Sequence, residues 1–286
     1  MIDFGDRQAD ARDADLASCA SRGDRRALAE LLRTHQQWVY AVALRFARDP
    51  NAASDLAQDA LLRVVTRIAQ FEGHSSFRTW AWRIVLNTFL NSKRSPSEEA
   101  IGGWDDYADF LERSGLREES ELEPPQLRYM LAEEVRVQCL LGMLLCLDRT
   151  QRLVFVLGAV MGVQANEAAA LFEWTPAQFR KRLERARADL GSFMKDRCGL
   201  VNADNPCRCP KKTAAMARDG LIDPERLRFA GPRVRLFTEE APSRAQAFAH
   251  FQEDAAVSPF LGHPNLAGPD VASEMDRLLE RAGLMV

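Results

Sequence analysis

Aromatic and basic side chains alternate between Phe71 and Asn91, where the sequence reads FEGHSSFRTWAWRIVLNTFLN. Such rings can stack on unpaired bases, and arginines can hold a phosphate backbone. Gly73 and the residues after it break the helical pattern, and apolar residues then recur every three to four positions from Phe77 onward. The pattern predicts a loop and a helix that bind an opened nucleic acid strand. A core helix with packed tryptophans is the alternative.

Three cysteines cluster later in the chain, in the segment CGLVNADNPCRCPKK: Cys198, Cys207 and Cys209. Clustered thiols in a turn-rich segment are more typical of a metal-thiolate site or a redox pair than of a disulfide framework. Tetrahedral zinc would need a fourth ligand, for which His250, His263 or an acid is available. A tight structural turn is the competing interpretation, and no cofactor is otherwise required. The remaining cysteines lie in apolar, helical surroundings and are interpreted as small core residues: Cys19, Cys139 and Cys146.

Residues 52–71 form a helical pattern with two distinct stripes. The first stripe is apolar and consists of Leu56, Ala60, Leu61, Val64, Val65 and Ile68. The second consists of Asp55, Gln58, Asp59, Leu62 and Arg63. A helix with two such faces predicts a binding partner for the second one.

A helix-turn-helix pattern lies between Leu147 and Phe193. Thr175 is a good N-cap and Pro176 suits a first helical position, so the last helix of the motif should begin there. Its inward face is predicted to be Phe179, Leu183, Ala186, Leu190 and Phe193. Arginines and lysine dominate the rest, which suits a helix that enters a major groove. A surface helix that is basic for solubility is the alternative.

The 286-residue chain has a net charge of −3, which argues against a generally basic nucleic-acid coat. Charge is segregated instead, because the Arg-rich helix contrasts with an acidic stretch from Glu98 to Glu123. No paired carboxylates, activated nucleophile or phosphate-binding loop stands in a usable setting, so we expect no enzymatic activity. We also expect a cytoplasmic protein, because no apolar run is long enough to span a bilayer and no signal peptide is present.

Taken together, DLAQDALLRV, FEGHSSFRTWAWRIVLN and the distant helix-turn-helix resemble the extracytoplasmic-function class of bacterial RNA polymerase sigma factors, over about residues 12–197. The resemblance implies an all-α fold with two helical sigma domains, a region 2 bundle and a region 4 helix-turn-helix, plus a small, mainly helical extension. The implied segments are region 2 at 12–95, an acidic linker at 96–128, region 4 at 129–197 and the extension at 198–286.

The resemblance also assigns roles and partners to residues of this chain. Core RNA polymerase would be bound through the clamp helices of its largest subunit and its flap, with Asp55, Gln58, Asp59, Leu62 and Arg63 on the clamp. The promoter −10 element would be melted and captured by Ser75, Ser76, Phe77, Arg78, Trp80, Arg83 and Asn87. The −35 element would be read by Gln178, Arg180, Lys181, Arg182 and Arg185. Base preference at −35 does not carry over, because the sequence from Pro176 to Phe179 departs from the usual pattern.

Residues 97–125 are expected to be a solvated linker, part of which packs as a short helix carrying Trp104, Tyr107 and Phe110. The extension contains two amphipathic stretches, at 243–257 and 269–282. It is expected either to restrain the sigma domains in place of a separate anti-sigma factor or to be a folding appendage. Two other functions stay open: a helix-turn-helix regulator that works without polymerase, and a thiol-based metal or redox sensor whose output is DNA binding.

Overall fold

The computed structural model describes residues 7–115 and 125–229, together with Phe260. All regular structure within those ranges is helical, which confirms the predicted all-α fold. The helices are α1 Arg7–Ser21, α2 Arg25–Ala47, α3 Pro50–Arg67, α4 Phe77–Asn91, α5 Pro96–Glu99, α6 Trp104–Arg113, α7 Pro125–Leu145, α8 Arg149–Phe155, α9 Ala165–Leu171, α10 Pro176–Arg197 and α11 Cys209–Arg218. A 3₁₀ turn, Ile68–Gln70, follows α3, and a π-helical turn, Val156–Val160, continues α8.

Side-chain caps fix where the first long helices begin. Asp24 accepts hydrogen bonds from the backbone N–H groups of Arg26 and Ala27 and so caps α2. Asp49 caps α3 in the same way, directly before Pro50 at the first helical position. Each carboxylate satisfies N–H groups that have no partner inside the helix, and its charge suits the positive end of the helix dipole.

The described residues group into two compact units, of which the first comprises residues 7–98 and 148–184. Its core is built on α2, which is buried along most of its length and packs against α1 and α3. Helices α3 and α4 pack together beside it, and α8 and α9 contact α4. This grouping differs from the predicted segment boundaries, because the start of the helix-turn-helix is held to the end of α4 by polar contacts described below.

The second unit comprises residues 99–115, 125–147 and 185–229. The predicted short helix in the acidic segment is present as α6, and Tyr107 on it is only 1% exposed. The Tyr107 hydroxyl donates a hydrogen bond to the carbonyl oxygen of Cys139 at 2.9 Å. Helix α11 packs against α7 through a buried cluster. The cluster consists of Leu131, Val135, Met216 and Ile222.

A buried carboxylate ties the next part of the extension to α7. Glu134 is 1% exposed and accepts hydrogen bonds from the backbone N–H groups of Arg228, at 3.2 Å, and Phe229, at 2.8 Å. The side-chain amide of Gln138 donates a third at 3.0 Å. The extension is therefore integrated with α7 as far as Phe229. The amphipathic stretches predicted at 243–257 and 269–282, together with His250 and His263, lie outside the described residues.

Candidate nucleic-acid and polymerase interfaces

The second stripe of α3 faces away from the core. Asp55, Asp59 and Arg63 are exposed, whereas Gln58 and Leu62 are half-buried. Arg63 forms an ion pair with Asp59 one turn earlier, with Nε and Oδ2 at 3.2 Å. The structure thus brings all five predicted residues onto one charged surface with a single aliphatic side chain in it. An exposed pair like this contributes little to stability, so these charges are free to serve recognition.

The start of α4 presents a loop and a cluster of aromatic rings. Ser76 caps the helix, because its hydroxyl accepts a hydrogen bond from the N–H of Thr79 at 3.2 Å. The Trp80 ring lies 5.5 Å from the ring of Phe71 and 6.0 Å from that of Phe77, measured between centroids. Phe71 and Trp80 are half-buried. Ser75 and Ser76 are also half-buried, and Asn87 is exposed further along α4.

Two of the residues predicted to contact the −10 element lie in the interior instead. Phe77 is 2% exposed and Arg78 is 5% exposed. Arg78 Nε donates to Asp13 Oδ2 at 3.0 Å, and Asp13 also contacts the His35 ring at 3.1 Å. Burial alone would raise the pKa of Asp13, but the hydrogen bonds and charges of His35 and Arg78 outweigh it and hold that pKa below its ordinary value. In this structure, therefore, Arg78 is a structural ion-pair partner of α1 and not a surface cation.

Arg83 is half-buried and already engaged within its unit. Its Nε donates to the carbonyl oxygen of Ala170 at 3.0 Å, and its guanidinium lies 4.0 Å from the carboxylate of Glu173. Arg83 would have to leave these partners before it could touch DNA. This contact leaves no pattern in the sequence, because Ala170 lies far along the chain and contributes only a backbone oxygen.

The predicted start of the recognition helix is confirmed at Pro176. Thr175 Oγ1 accepts a hydrogen bond from the N–H of Gln178 at 3.3 Å, and Gln178 Oε1 accepts one from the N–H of Thr175 at 2.9 Å. This reciprocal pair is a capping box, which satisfies two backbone donors at once. The Gln178 side chain is thereby occupied in the cap, although the residue is exposed.

Helix α10 separates an inward apolar face from an exposed basic one. Phe179, Ala186 and Leu190 are fully buried, as predicted, and Met194 continues that face. Leu183 and Phe193, which were predicted to belong to it, are half-buried. Three predicted DNA-contacting cations are exposed: Arg180, Lys181 and Arg185. Arg182 is half-buried and stacks over the Trp174 ring at 4.2 Å from its centroid, which restrains it.

A buried ion-pair network supports the start of the helix-turn-helix. Glu98, 6% exposed, accepts hydrogen bonds from Arg149 at 2.9 and 2.8 Å and lies 3.2 Å from Arg152. Arg149 also donates to the carbonyl oxygens of Leu90 and Ser92 at the end of α4. Burial opposes ionisation of Glu98, but both arginines outweigh it and hold its pKa below the ordinary value. Sequence reasoning missed this network, since Glu98 looked like one acid among many in a linker.

The three clustered cysteines lie in the second unit, and a fourth joins them there. Cys139 of α7 lines the same cavity as Cys198, Cys207 and Cys209. Burial is the largest cause that raises the pKa of each of the latter three thiols, so they are protonated at neutral pH and poorly suited to attack an oxidant. Across residues 7–115 and 125–229, no three His, Cys, Asp or Glu side chains already have a metal-binding arrangement. No helix in that part of the chain is long and apolar enough to cross a membrane.

Comparison with known proteins relates the chain to transcription factors of bacteria. Residues 31–98 match the family described as Sigma-70 region 2. The RNA polymerase sigma factor CnrH of Cupriavidus metallidurans is 30% identical over 185 residues, which cover 64% of this chain and 95% of CnrH. The RNA polymerase sigma-H factor of Pseudomonas aeruginosa is 28% identical, covering 62% of this chain and 90% of that protein.

A third curated relative and one solved structure extend the comparison. The ECF RNA polymerase sigma-E factor of Escherichia coli K12 is 27% identical, covering 60% of this chain and 88% of that protein. The solved structure is that of CnrH in complex with the cytosolic domain of CnrY. It covers 68% of this chain and 99% of the CnrH chain at 24% identity, with a TM-score of 0.47.

Proposed function

The chain belongs to the extracytoplasmic-function sigma factors of RNA polymerase, and we propose that its described surfaces bind core polymerase and recognise both promoter elements. Sigma factors serve transcription initiation, so core polymerase and promoter DNA are the partners. In the proposed division, residues 12–95 bind polymerase and melt the −10 element, and 129–197 read the −35 element. Residues 96–128 link the two, and 198–286 regulate them. The action is cytoplasmic and requires no catalytic step from this chain.

The exposed stripe of α3 is the observation that carries the polymerase-binding part of the proposal. Asp55, Asp59 and Arg63 have no role in the core, while apolar residues of the same helix are fully buried. Charged groups around one aliphatic residue, Leu62, give a surface whose partner is selected by charge complementarity. The carboxylates would meet basic residues of the polymerase clamp helices.

The loop and first turn of α4 support −10 capture. A base pulled from the duplex loses stacking worth a few kcal/mol, and contact with an aromatic ring offsets about 1–3 kcal/mol of that. The half-buried rings of Phe71 and Trp80 offer such a platform, with the Ser75 and Ser76 hydroxyls beside it and Asn87 two turns further along. Phe77 and Arg78 support this platform from beneath in the proposed mechanism.

The exposed cations of α10 support −35 reading. A capped helix N-terminus followed by Arg180, Lys181 and Arg185 provides both the geometry and the charge that a major groove requires. Arg182, stacked on Trp174, would contribute to positioning rather than base contact.

Run-off transcription with purified core polymerase on a library of promoter fragments tests the whole proposal. The full chain should start transcripts at a defined subset of fragments. Asp55→Asn/Asp59→Asn should weaken binding to core polymerase and lower transcription, whereas Asp15→Asn, an exposed acid on α1, should not. Silence of the wild-type chain on every fragment would count against the proposal.

A second set of variants separates DNA reading from polymerase binding. Lys181→Gln/Arg185→Gln should reduce transcription but leave binding to core polymerase unchanged, and Lys195→Gln in the exposed last turn of α10 is the matched control. If the wild-type chain bound promoter DNA but started no transcript with core polymerase, it would instead be a regulator that works without polymerase.

Restraint by the extension, or by a separate anti-sigma factor, is the regulatory part of the proposal. Removing everything after Phe193 would uncover Leu131 and Val135 of α7, because Met216 and Ile222 cover them. A chain that ends at Phe229 retains this packing and is the better test. More transcription from it than from the full chain would support restraint by the residues that follow, and equal transcription would contradict it.

A further inference from the structure

Helix α1 braces both ends of the loop that precedes α4. It contacts the 3₁₀ turn Ile68–Gln70 before that loop and α4 after it, and it also packs against α2. The loop and the first turn of α4 carry the rings of Phe71 and Trp80, the platform to which the proposed function assigns the −10 element. No residue of α1 has so far been given a part in binding a partner. A helix without an assigned role therefore contacts both sides of a candidate base-binding site.

One buried carboxylate on α1 joins three helices beneath this platform. Asp13 is 3% exposed, and its Oδ2 atom accepts a hydrogen bond from Nε of Arg78 on α4 at 3.0 Å. The same oxygen lies 3.1 Å from Nε2 of His35 on α2. Burial opposes ionisation of Asp13, but the hydrogen bonds and charges of His35 and Arg78 outweigh this effect and hold its pKa below the ordinary value. An ionised carboxylate only accepts hydrogen bonds, so His35 Nε2 is the donor.

Both partners of this carboxylate lead directly to the platform. Arg78 follows Phe77 in the first turn of α4, and the His35 ring lies 5.6 Å from the Phe77 ring, measured between centroids. The Phe77 ring lies 5.8 Å from the ring of Phe71 and 6.0 Å from that of Trp80. The buried Phe77 thus connects the carboxylate cluster to both half-buried rings of the platform.

We propose that Asp13 of α1 is a positioning residue of the −10 site, because its contacts with Arg78 and His35 fix the aromatic platform for one unpaired base. Side chains that bind a ligand have to be held within about 0.5 Å of the productive geometry, and packing and hydrogen bonds beneath them provide this. The inference rests on the proposed −10 capture and adds α1 to the elements that perform it.

Loss of the Asp13 charge should release Arg78 from its buried position. The Arg78 residue is 5% exposed. A second carboxylate, that of Asp10, lies 3.5 Å from Arg78 Nε, but its side chain is partly exposed. A buried guanidinium group with less compensating charge moves towards water. Because Arg78 belongs to the first turn of α4, this movement would shift Phe77 and the rings that pack against it.

The test measures how strongly binding depends on a captured base, in holoenzyme assembled from the full chain and purified core polymerase. The DNA is a promoter fragment that the wild type transcribes, with non-complementary strands across the −10 element so that no melting is required. Each base of that element, in either strand, is replaced in turn by an abasic site, and Kd is measured by fluorescence anisotropy. Stacking of one base on an aromatic ring corresponds to about a 5- to 140-fold change in affinity, so Kd of the wild type should rise by this factor at the captured position.

Asp13→Asn keeps the size of the side chain and removes its charge, and it should bring the ratio of abasic to intact Kd towards unity. Partial unfolding would lower the active fraction on both DNAs and leave this ratio unchanged, so the ratio distinguishes positioning from a purely structural role. Asp15→Asn is the matched control, because it removes an exposed negative charge from the same helix. It should keep the wild-type ratio.

A second variant keeps the inference testable if Asp13→Asn does not fold. His35→Gln retains a donor for Asp13 but removes the ring that packs against Phe77, and the same fall in the ratio is expected. A wild-type ratio in Asp13→Asn, or in His35→Gln where Asp13→Asn does not fold, would overturn the inference and leave −10 capture intact. Absence of an abasic effect at every position in the wild type would contradict −10 capture itself, and this inference with it.

Discussion

Glu98 should be the residue whose loss most clearly releases α8 from the end of α4. Its carboxylate compensates Arg149 and Arg152 at once, and Arg152 is only 1% exposed. Glu98→Gln keeps the size of the side chain but removes its charge. Arg152 would retain its hydrogen bond to the carbonyl oxygen of Phe46, at 2.6 Å, and lose the carboxylate at 3.2 Å.

The expected cost follows from the burial of the two arginines. Removing one partner of a buried ion pair costs about 3–5 kcal/mol, because the remaining charge is left uncompensated. The Arg149 side chain is 18% exposed and can turn towards water, and Arg152 keeps its backbone acceptor. We therefore expect the lower end, about 3 kcal/mol of unfolding free energy.

Urea unfolding followed by tryptophan fluorescence measures this cost. Four of the five tryptophans lie in the unit that contains Glu98, so the signal reports mainly on that unit: Trp38, Trp80, Trp82 and Trp174. Glu99→Gln, at the exposed neighbouring position, should change the free energy by less than about 0.5 kcal/mol. A Glu98→Gln protein within about 1 kcal/mol of the wild type would refute the view that Glu98 holds the two arginines in place.

Three further predictions concern pH, capping and DNA. Folding lowers the pKa values of Glu98 and Asp13, so both carboxylates stabilise the folded chain fully above their unfolded pKa values, at about pH 4–4.5. This stabilisation is lost as the pH falls through their folded pKa values. The urea midpoint should therefore fall less steeply between pH 7 and pH 3 in Glu98→Gln than in the wild type. Thr175→Ala should cost about 1 kcal/mol and speed amide exchange in the first turn of α10, unlike Thr66→Ala, whose hydroxyl bonds only within α3. Arg185→Gln should reduce by about 0.9 the slope of log affinity against log salt for promoter DNA, and an unchanged slope would remove Arg185 from the set of phosphate contacts.

The fold was predictable from the sequence wherever a local signal was sufficient. The Thr175–Pro176 pair correctly predicts the start of α10, and the spacing of Phe179, Ala186 and Leu190 correctly predicts its buried face. The short helix in the acidic segment followed from Trp104, Tyr107 and Phe110. The packing of α8 on α4 was not predictable, because it rests on arginine contacts to backbone carbonyls that leave no pattern in the sequence.

The candidate sites were predictable only in part, for a related reason. Arg78 and Arg180 both stand in basic, helical stretches, and composition cannot tell which one is buried. The difference arises from Asp13, which lies far upstream and reaches Arg78 only in the folded chain. The apolar surroundings of Cys139 in the sequence predict a core residue, and nothing near it in the chain indicates that three later cysteines line the same cavity.

The two ends of α10 are fixed by separate interactions. At its start, the Thr175–Gln178 capping box orients the basic face. At its end, the side chains of Asn202 and Asn205 donate to the carbonyl oxygen of Lys195, at 3.1 and 2.9 Å, before the chain reaches the thiols. Because capping effects decay within a turn, changes at the thiols should leave the first turn of the recognition helix intact. Amide exchange in that turn should therefore be the same in Cys207→Ser and wild type, and faster exchange in Cys207→Ser would mean that the thiol cluster and the DNA-reading face are coupled through the helix.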